Sequence, residues 1–272
     1  MRDGDDVAGI APLMLNDRTL SFAGDKELFD YLDFVVVKGK EAPFFDALCD
    51  HIVQLDWHTM TLSSIPEGSP TLEYLPALGQ RKGFSVKLEQ GEMTPTSYLP
   101  GTWDEFVSGL RKKDRHELRR KLRRLDQSEQ TRQYICNDPE SLTCCMQDFF
   151  RLLRESSPEK NEFLTAEREE FFLDIAQTLA LRDQFKLYFL EVEGVRVASC
   201  ICFDYADSYL LYNSGYDPNF SHLSVGLLNK ALSIKDAIEE GRQSFNFLKG
   251  TERYKYNLGA VDNAVYNLEV TR

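Results

Sequence analysis

The order of elements between residues 193 and 259 constrains this chain more than any other stretch. EGVRVASCICF (193–203) and SYLLYNSGYDP (208–218) are β-rich runs on either side of the turn-prone Asp-Tyr-Ala-Asp at 204–207, and they predict a hairpin. Over 225–240 the apolar residues Leu227, Leu228, Ala231, Ile234 and Ile238 recur at three- and four-residue steps, and Gly241 stands where such a helix stops. SFNFLKG (244–250) then reads as a short aromatic strand closed by glycine. A strand, a crossover helix and a parallel strand make a right-handed unit, so the helix N-terminus near Ser224 and Gly226 falls at the carboxyl end of the preceding strand. A phosphate docks at such a place, because the first turn leaves N–H donors unpaired and the helix dipole favours negative charge.

The 272 residues, 42% hydrophobic and 12% aromatic, suffice for one large or two ordinary cores. No apolar run approaches the roughly 20 residues of a membrane span, and the charged start MRDGDD has no apolar segment behind it, so a soluble, cytoplasmic protein is expected. The cysteines, Cys49, Cys136, Cys144, Cys145, Cys200 and Cys202, form no C-x-x-C, and no histidine sits at ligand spacing, which argues against a metal. Cys200 and Cys202 share one face of a strand as small hydrophobes. Net charge is −12, yet residues 111–124 hold nine lysines and arginines against Asp114 and Glu117. A helix at +7 on a body at −19 invites an anionic partner, RNA or a lipid-linked glycan, unless it only pairs with that body or solvates a helix face.

FNFLKGTERYKYNLGA (245–260), the preceding YNSGYDP and the basic helix together resemble the CelD/BcsL-type acetyltransferase-like proteins, a branch of the GNAT acyltransferases associated with polysaccharide biosynthesis. The sharpest shared element is a glycine followed by Tyr-Lys, here Gly250 and Tyr254-Lys255; Asn246 stands where the family's strand usually carries an aspartate. The resemblance implies an α/β fold with a mixed sheet flanked by helices, no metal, and transfer of an acyl group from acetyl-CoA or another acyl-CoA to an amine or hydroxyl of a saccharide-type acceptor. It also implies that the backbone of Ser214, Gly215 and Tyr216 holds the thioester, and that Ser224, Val225 and Gly226 hold the pyrophosphate. HLSVGL (222–227) is a thin version of the usual glycine-rich loop. The related Fem-type transferases share tandem GNAT-like domains and use aminoacyl-tRNA instead, and a degenerate module that only binds an anionic polymer or a biosynthetic partner is a third reading.

The chain's beginning echoes its end. Asp3-Gly4 with Val7-Ala8 matches Glu193-Gly194 with Val197-Ala198, and Leu20 to Gly24 parallels Leu211 to Gly215. A helical stripe (Phe44, Phe45, Leu48, Ile52, Leu55) and a strand WHTMTLSSIP (57–66) follow in the same order, which predicts tandem copies of one fold. The second is preceded by a strand at 132–137, helices at 142–155 and 166–181, and a strand at 185–192; the first lacks these. The expected division is an N-terminally incomplete first domain over 1–97, a basic connecting helix over 98–130 that begins at Trp103, and a complete second domain over 131–272.

Acyl transfer to an amine needs a deprotonated amine, an oxyanion donor and a proton for the leaving thiolate. By family likeness Tyr254 is expected to supply that proton, Glu252 to accept the amine's proton directly or through water, and Lys255 to bind an anionic group. Lys249 is expected to touch the acceptor. Asp30 and Asp33, in DYLDF, would orient an amine if the two halves face each other. The alternatives are that Tyr254 packs, that Lys255 pairs with an acid, and that Asp30 and Asp33 serve turns or caps.

Overall fold

Ala206 and Asp207 take positive φ (49° and 57°), the conformation a two-residue hairpin turn needs. They join Val195–Tyr205 to Ser208–Tyr216, which pair from Tyr205↔Ser208 to Ala198↔Tyr216. Around this hairpin the computed structural model, which describes residues 1–25, 27–128, 130–136 and 138–272, builds a six-stranded mixed sheet. Its order is Arg132–Ile135, Phe185–Val192, Val195–Tyr205, Ser208–Tyr216, Ser244–Asn246 and Thr96–Tyr98. The pair Ser208–Tyr216 and Ser244–Asn246 is parallel and the other neighbours are antiparallel.

The expected crossover helix runs over Val225–Glu239 and ends before Gly241, whose φ is +72°. Its stripe of Leu228, Ala231, Ile234 and Ile238 is buried against Cys200, Cys202, Tyr209 and Phe245 of the sheet. Alternate residues of a strand face opposite sides, so Ser199 and its partner Gly215 look the other way, where Gly215 meets the helix Pro139–Ser156. The second expected preamble helix runs over Ala166–Ala180. The strand expected at 132–137 covers Arg132–Ile135, and Asn137 lies outside the described residues.

Expectation and structure part at two places. The helix expected to run on from Trp103 is two helices, Trp103–Gly109 and Lys112–Asp126, because Leu110 and Arg111 take extended backbone (ψ 149° and 140°). Leu110 is thereby driven into the core with Phe106 and Val107. Arg111 then pairs with Asp114 (2.9 Å) in the new first turn, at the gap in the helically spaced apolar series Trp103, Val107, Leu110, Leu118, Leu122 and Leu125. A Thr102–Glu105 capping box starts the first of the two. Secondly, the chain divides into Met1–Thr94 with Asp262–Arg272, and Pro95–Val261. The last strand, Ala264–Thr271, thus belongs to the first unit and the basic helix to the second, whereas the expected spans were 1–97, 98–130 and 131–272. Ladder hydrogen bonds, which join strands remote in sequence, decide this. Cys136 and Cys145, whose pairing no sequence pattern predicts, form a disulfide; Cys49, Cys144, Cys200 and Cys202 are free, and Cys200 and Cys202 are buried in the sheet as expected.

The first unit has its own mixed sheet, ordered Leu13–Asn16, Thr19–Phe22, Thr59–Pro66, Ala264–Thr271, Ser85–Met93. Thr19–Phe22 runs parallel to Thr59–Pro66, with the helix Glu41–Ile52 between them in the chain. This is the hairpin, helix and parallel strand of the expected repeat. Phe44, Phe45, Leu48 and Ile52 bury against Trp57, Met60 and Leu62. Among the described residues no helix is long and apolar enough to cross a membrane.

Candidate functional site

The strand Ser208–Tyr216 is paired on both sides only at its start. Towards Ser244–Asn246 the ladder stops after Ser208↔Ser244, Tyr209↔Phe245 and Leu210↔Asn246, while on the other side pairing continues to Tyr216. Residues 211–216 therefore present one edge that no strand covers among the described residues. Two local features open it. The register skips Tyr212 between Cys202↔Leu211 and Ile201↔Asn213, a bulge that bends the strand. Across the gap the partner chain turns off at once: Asn246 Oδ1 accepts the Leu248 N–H (2.8 Å), the Phe247 N–H donates to the Pro95 carbonyl (2.9 Å), and Leu248 and Gly250 take φ of +56° and +103°. Asn246 thereby holds that turn.

The first turn of the crossover helix begins at Ser224, itself in the left-handed conformation (φ +61°) and making no side-chain cap. Its hydroxyl accepts instead from Arg124 Nη2 (3.2 Å), contributed by the basic helix. The Arg124 Nε–H is buried without a partner among the described residues. Helix-terminal amides and a guanidinium with a donor to spare are groups whose chemistry suits an anion. Val225 offers only its amide, since its side chain is fully buried. Gly226 leaves room for the Tyr216 ring, which a Cβ there would approach to 3.0 Å.

Tyr254 and Lys255 lie in the short helix Arg253–Asn257. The Tyr254 ring packs on Phe247 (centroids 6.0 Å apart) and faces the Lys230 ammonium, 4.9 Å from its centroid. Burial, and then the negative charge of Glu252, push the Tyr254 phenol well above its ordinary range, so it stays protonated. Lys255 turns inward. Its ammonium donates to the carbonyls of Leu248 (3.2 Å), Lys249 (2.6 Å) and Gly250 (3.0 Å) and pairs with Glu252 (3.0 Å), leaving its three hydrogens engaged by the protein. The Glu252 side chain is 57% exposed and reaches solvent.

Lys160 and Lys230, which the sequence did not single out, join this group. Lys160 donates to the Ser214 carbonyl on the open edge, and the Ser214 N–H goes to Asn213 Oδ1 (2.8 Å). Lys230 donates to the Gly226 carbonyl (3.0 Å). Neither has a spacing signal: a lone lysine in a charged helix reads as surface until the sheet bends towards it. Thus Ser214, Gly215, Tyr216, Ser224, Val225, Gly226, Lys249, Glu252, Tyr254 and Lys255 belong to one unit. Asp30 and Asp33 belong to the other. There Asp33 accepts from Ser69 Oγ (2.5 Å), Thr71 Oγ1 (2.5 Å) and the Phe34 N–H (2.8 Å), tying down the start of the helix Thr71–Arg81. Asp33→Ala should cost about 1–2 kcal/mol in denaturant unfolding, the value of a lost helix-start anchor, and no change would refute that role. Among the described residues no group of three or more His, Cys, Asp or Glu is placed to hold a metal.

A family model described as the acetyltransferase (GNAT) domain matches residues 112–256, slightly over half of the chain and nearly all of the open-edged unit. The chain belongs to that family. No curated protein matches the sequence. Among solved structures, FemX is similar over 98% of this chain and 86% of its own, with 14% identity and a TM-score of 0.66. A conserved protein of unknown function from Bacteroides thetaiotaomicron is similar over 97% and 84%, at 11% identity and a TM-score of 0.65. The C-terminal domain of a putative lysylphosphatidylglycerol synthetase from Agrobacterium fabrum is similar over 96% and 79%, at 10% and 0.62. At these identities the likeness is one of fold, and it extends over both units. The GNAT domain makes this an acyltransferase of mixed α/β architecture; its donor and acceptor are matters for proposal.

Proposed function

We propose that this GNAT protein moves an acyl group, acetyl in the simplest case, from acyl-CoA to an amine or hydroxyl on a saccharide-type acceptor. One observation carries the donor half: a strand edge at 211–216 that no strand covers among the described residues lies next in the chain to a helix N-terminus that Arg124 supplements. A pantetheine chain carries amides that can pair with such an edge, and a pyrophosphate suits the helix terminus. In this reading Tyr254, kept protonated, returns a proton to the thiolate, and the solvent-facing Glu252 takes the amine's proton directly or through water. Lys255 acts by holding the 248–250 turn, and Lys249 on that turn meets the acceptor. The saccharide-type acceptor rests on the CelD/BcsL resemblance alone.

The test is thermal unfolding with acetyl-CoA. At 100 times its dissociation constant the ligand should stabilise by about 2.7 kcal/mol. Arg124→Ala should weaken binding about tenfold, the worth of one charge-assisted hydrogen bond to phosphate. No shift with millimolar acetyl-CoA would overturn the donor assignment.

A second reading has its own observation. Lys112, Lys113, Arg119 and Arg123 are exposed on the basic helix and make no ion pair among the described residues, whereas Arg111, Arg120 and Lys121 pair with Asp114 or Glu117. Those four free cations suit an anionic polymer, as a Fem-like aminoacyl-tRNA-dependent transferase would need. Retention on tRNA that falls steeply with salt, together with no response to acetyl-CoA, would favour this reading. Neither response would favour a binding module.

A further inference from the structure

Three lysines surround the open edge, and they are held differently. Lys255 is 2% exposed and gripped by three carbonyls; Lys230 is 8% exposed and bonded to Gly226 beneath the Tyr254 ring. Lys160, on the short helix Pro158–Phe163, is only half-buried and, among the described residues, spends its ammonium on one acceptor, the Ser214 carbonyl. The Ser214 N–H is likewise taken by a side chain, that of Asn213. An amine is therefore parked on the backbone group that a strand-like donor would pair with.

We propose that Lys160 is a self-acylation site: an acyl-CoA lying along residues 211–216 transfers its acyl group to Lys160 Nζ, an inference that rests on the acyl-CoA reading above. A donor on this edge displaces the ammonium from Ser214, which leaves Nζ beside the thioester and out of bulk water. Burial, and then the Lys230 ammonium, push Lys160 down to about 8 against the opposing pull of Glu252. At pH 7 about a tenth of it is then free amine, against about one part in 3,000 for an ordinary lysine. The neutral amine adds to the thioester carbonyl carbon; the C–N bond forms, the C–S bond breaks, and CoA leaves as thiolate. The surplus proton on nitrogen passes to that thiolate, so the products are Nε-acyl-Lys160 and free CoA thiol. Acylation removes a positive charge and fills the edge, and the modified protein should bind CoA more weakly.

The experiment incubates the full chain with acetyl-CoA and follows acetyl groups by intact mass and peptide mapping, with CoA binding measured on the same sample by thermal shift. The expected result is acetylation of Lys160 at least about tenfold faster than of any exposed lysine, in line with its larger free-amine fraction. Excess desulfo-CoA, which lacks the thiol, should suppress it, and Lys160→Arg should abolish it while still melting with CoA-dependent stabilisation. Acetyl groups spread evenly over surface lysines would overturn the proposal. So would CoA binding without modification of Lys160, an outcome that leaves the proposed function standing. If CoA does not bind at all, both fall.

Discussion

Lys255→Met should lower the unfolding free energy of the GNAT unit by about 3 kcal/mol, seen as a lower denaturant midpoint at unchanged slope. Methionine matches the volume of the lysine stem but carries no donor. The carbonyls of Leu248, Lys249 and Gly250 converge on one ammonium that is 2% exposed, and each would lose its hydrogen-bond partner. A buried group left without its bond costs about 1–3 kcal/mol, and relaxation towards water recovers part of the three. The turn has little freedom to find other partners, because Leu248 and Gly250 already sit at positive φ and Asn246 ties the Leu248 N–H. Activity should fall with stability, since this turn separates Ser244–Asn246 from its neighbour and carries Glu252 and Tyr254 onward. A Met variant as stable as the parent protein would show that Lys255 does not hold the turn and is available to a ligand.

Gly215→Ala should be at least as damaging, about 3 kcal/mol, and should also abolish stabilisation by acetyl-CoA. The reason is space and not backbone freedom, as Gly215 has no positive φ. A Cβ there would lie 2.4 Å from the Leu152 carbonyl carbon and the Leu153 nitrogen, both main-chain atoms of the helix Pro139–Ser156. Neither can rotate aside. The strand or the helix must move, and the strand is the one whose free edge forms the proposed donor site. Gly226→Ala is the control: its nearest neighbour is the Tyr216 ring at 3.0 Å, a side chain that can swing, so the loss should be smaller. Equal effects from the two substitutions would contradict this account.

Much of the fold was legible because it repeats locally. The hairpin turn at Ala206-Asp207, the crossover helix ending before Gly241 and the strand 185–192 each follow from periodicity and turn residues within a few positions of themselves. The repeat of hairpin, helix and parallel strand in the first unit was readable for the same reason. The break at Leu110 was not, because its stripe continues in phase on both sides, and only the burial of Leu110 with Phe106 and Val107 favours extended backbone there. Of the candidate site, the Gly250 to Lys255 run drew attention to Tyr254 and Glu252, whose roles are proposals, but no pattern distinguishes Lys160, Lys230 or Arg124 from other cations. The pairing of Cys136 with Cys145 has the same character, since a strand end and a helix must be brought together before their sulfurs can meet.

By itself the sequence determined the hairpin, crossover helix and short strand over 195–246, their counterpart in the first unit, and, through likeness in a short glycine-to-lysine run, a place among the GNAT acyltransferases. Only the tertiary structure decided which way the side chains at that run point, which strand completes which sheet, and that the edge at 211–216 stays open. Helical and strand periods depend on neighbours three or two residues away, and these are written in the chain. An open edge depends on where a partner strand some thirty residues later turns aside, and on an amine from a helix some fifty residues earlier that comes to rest on it.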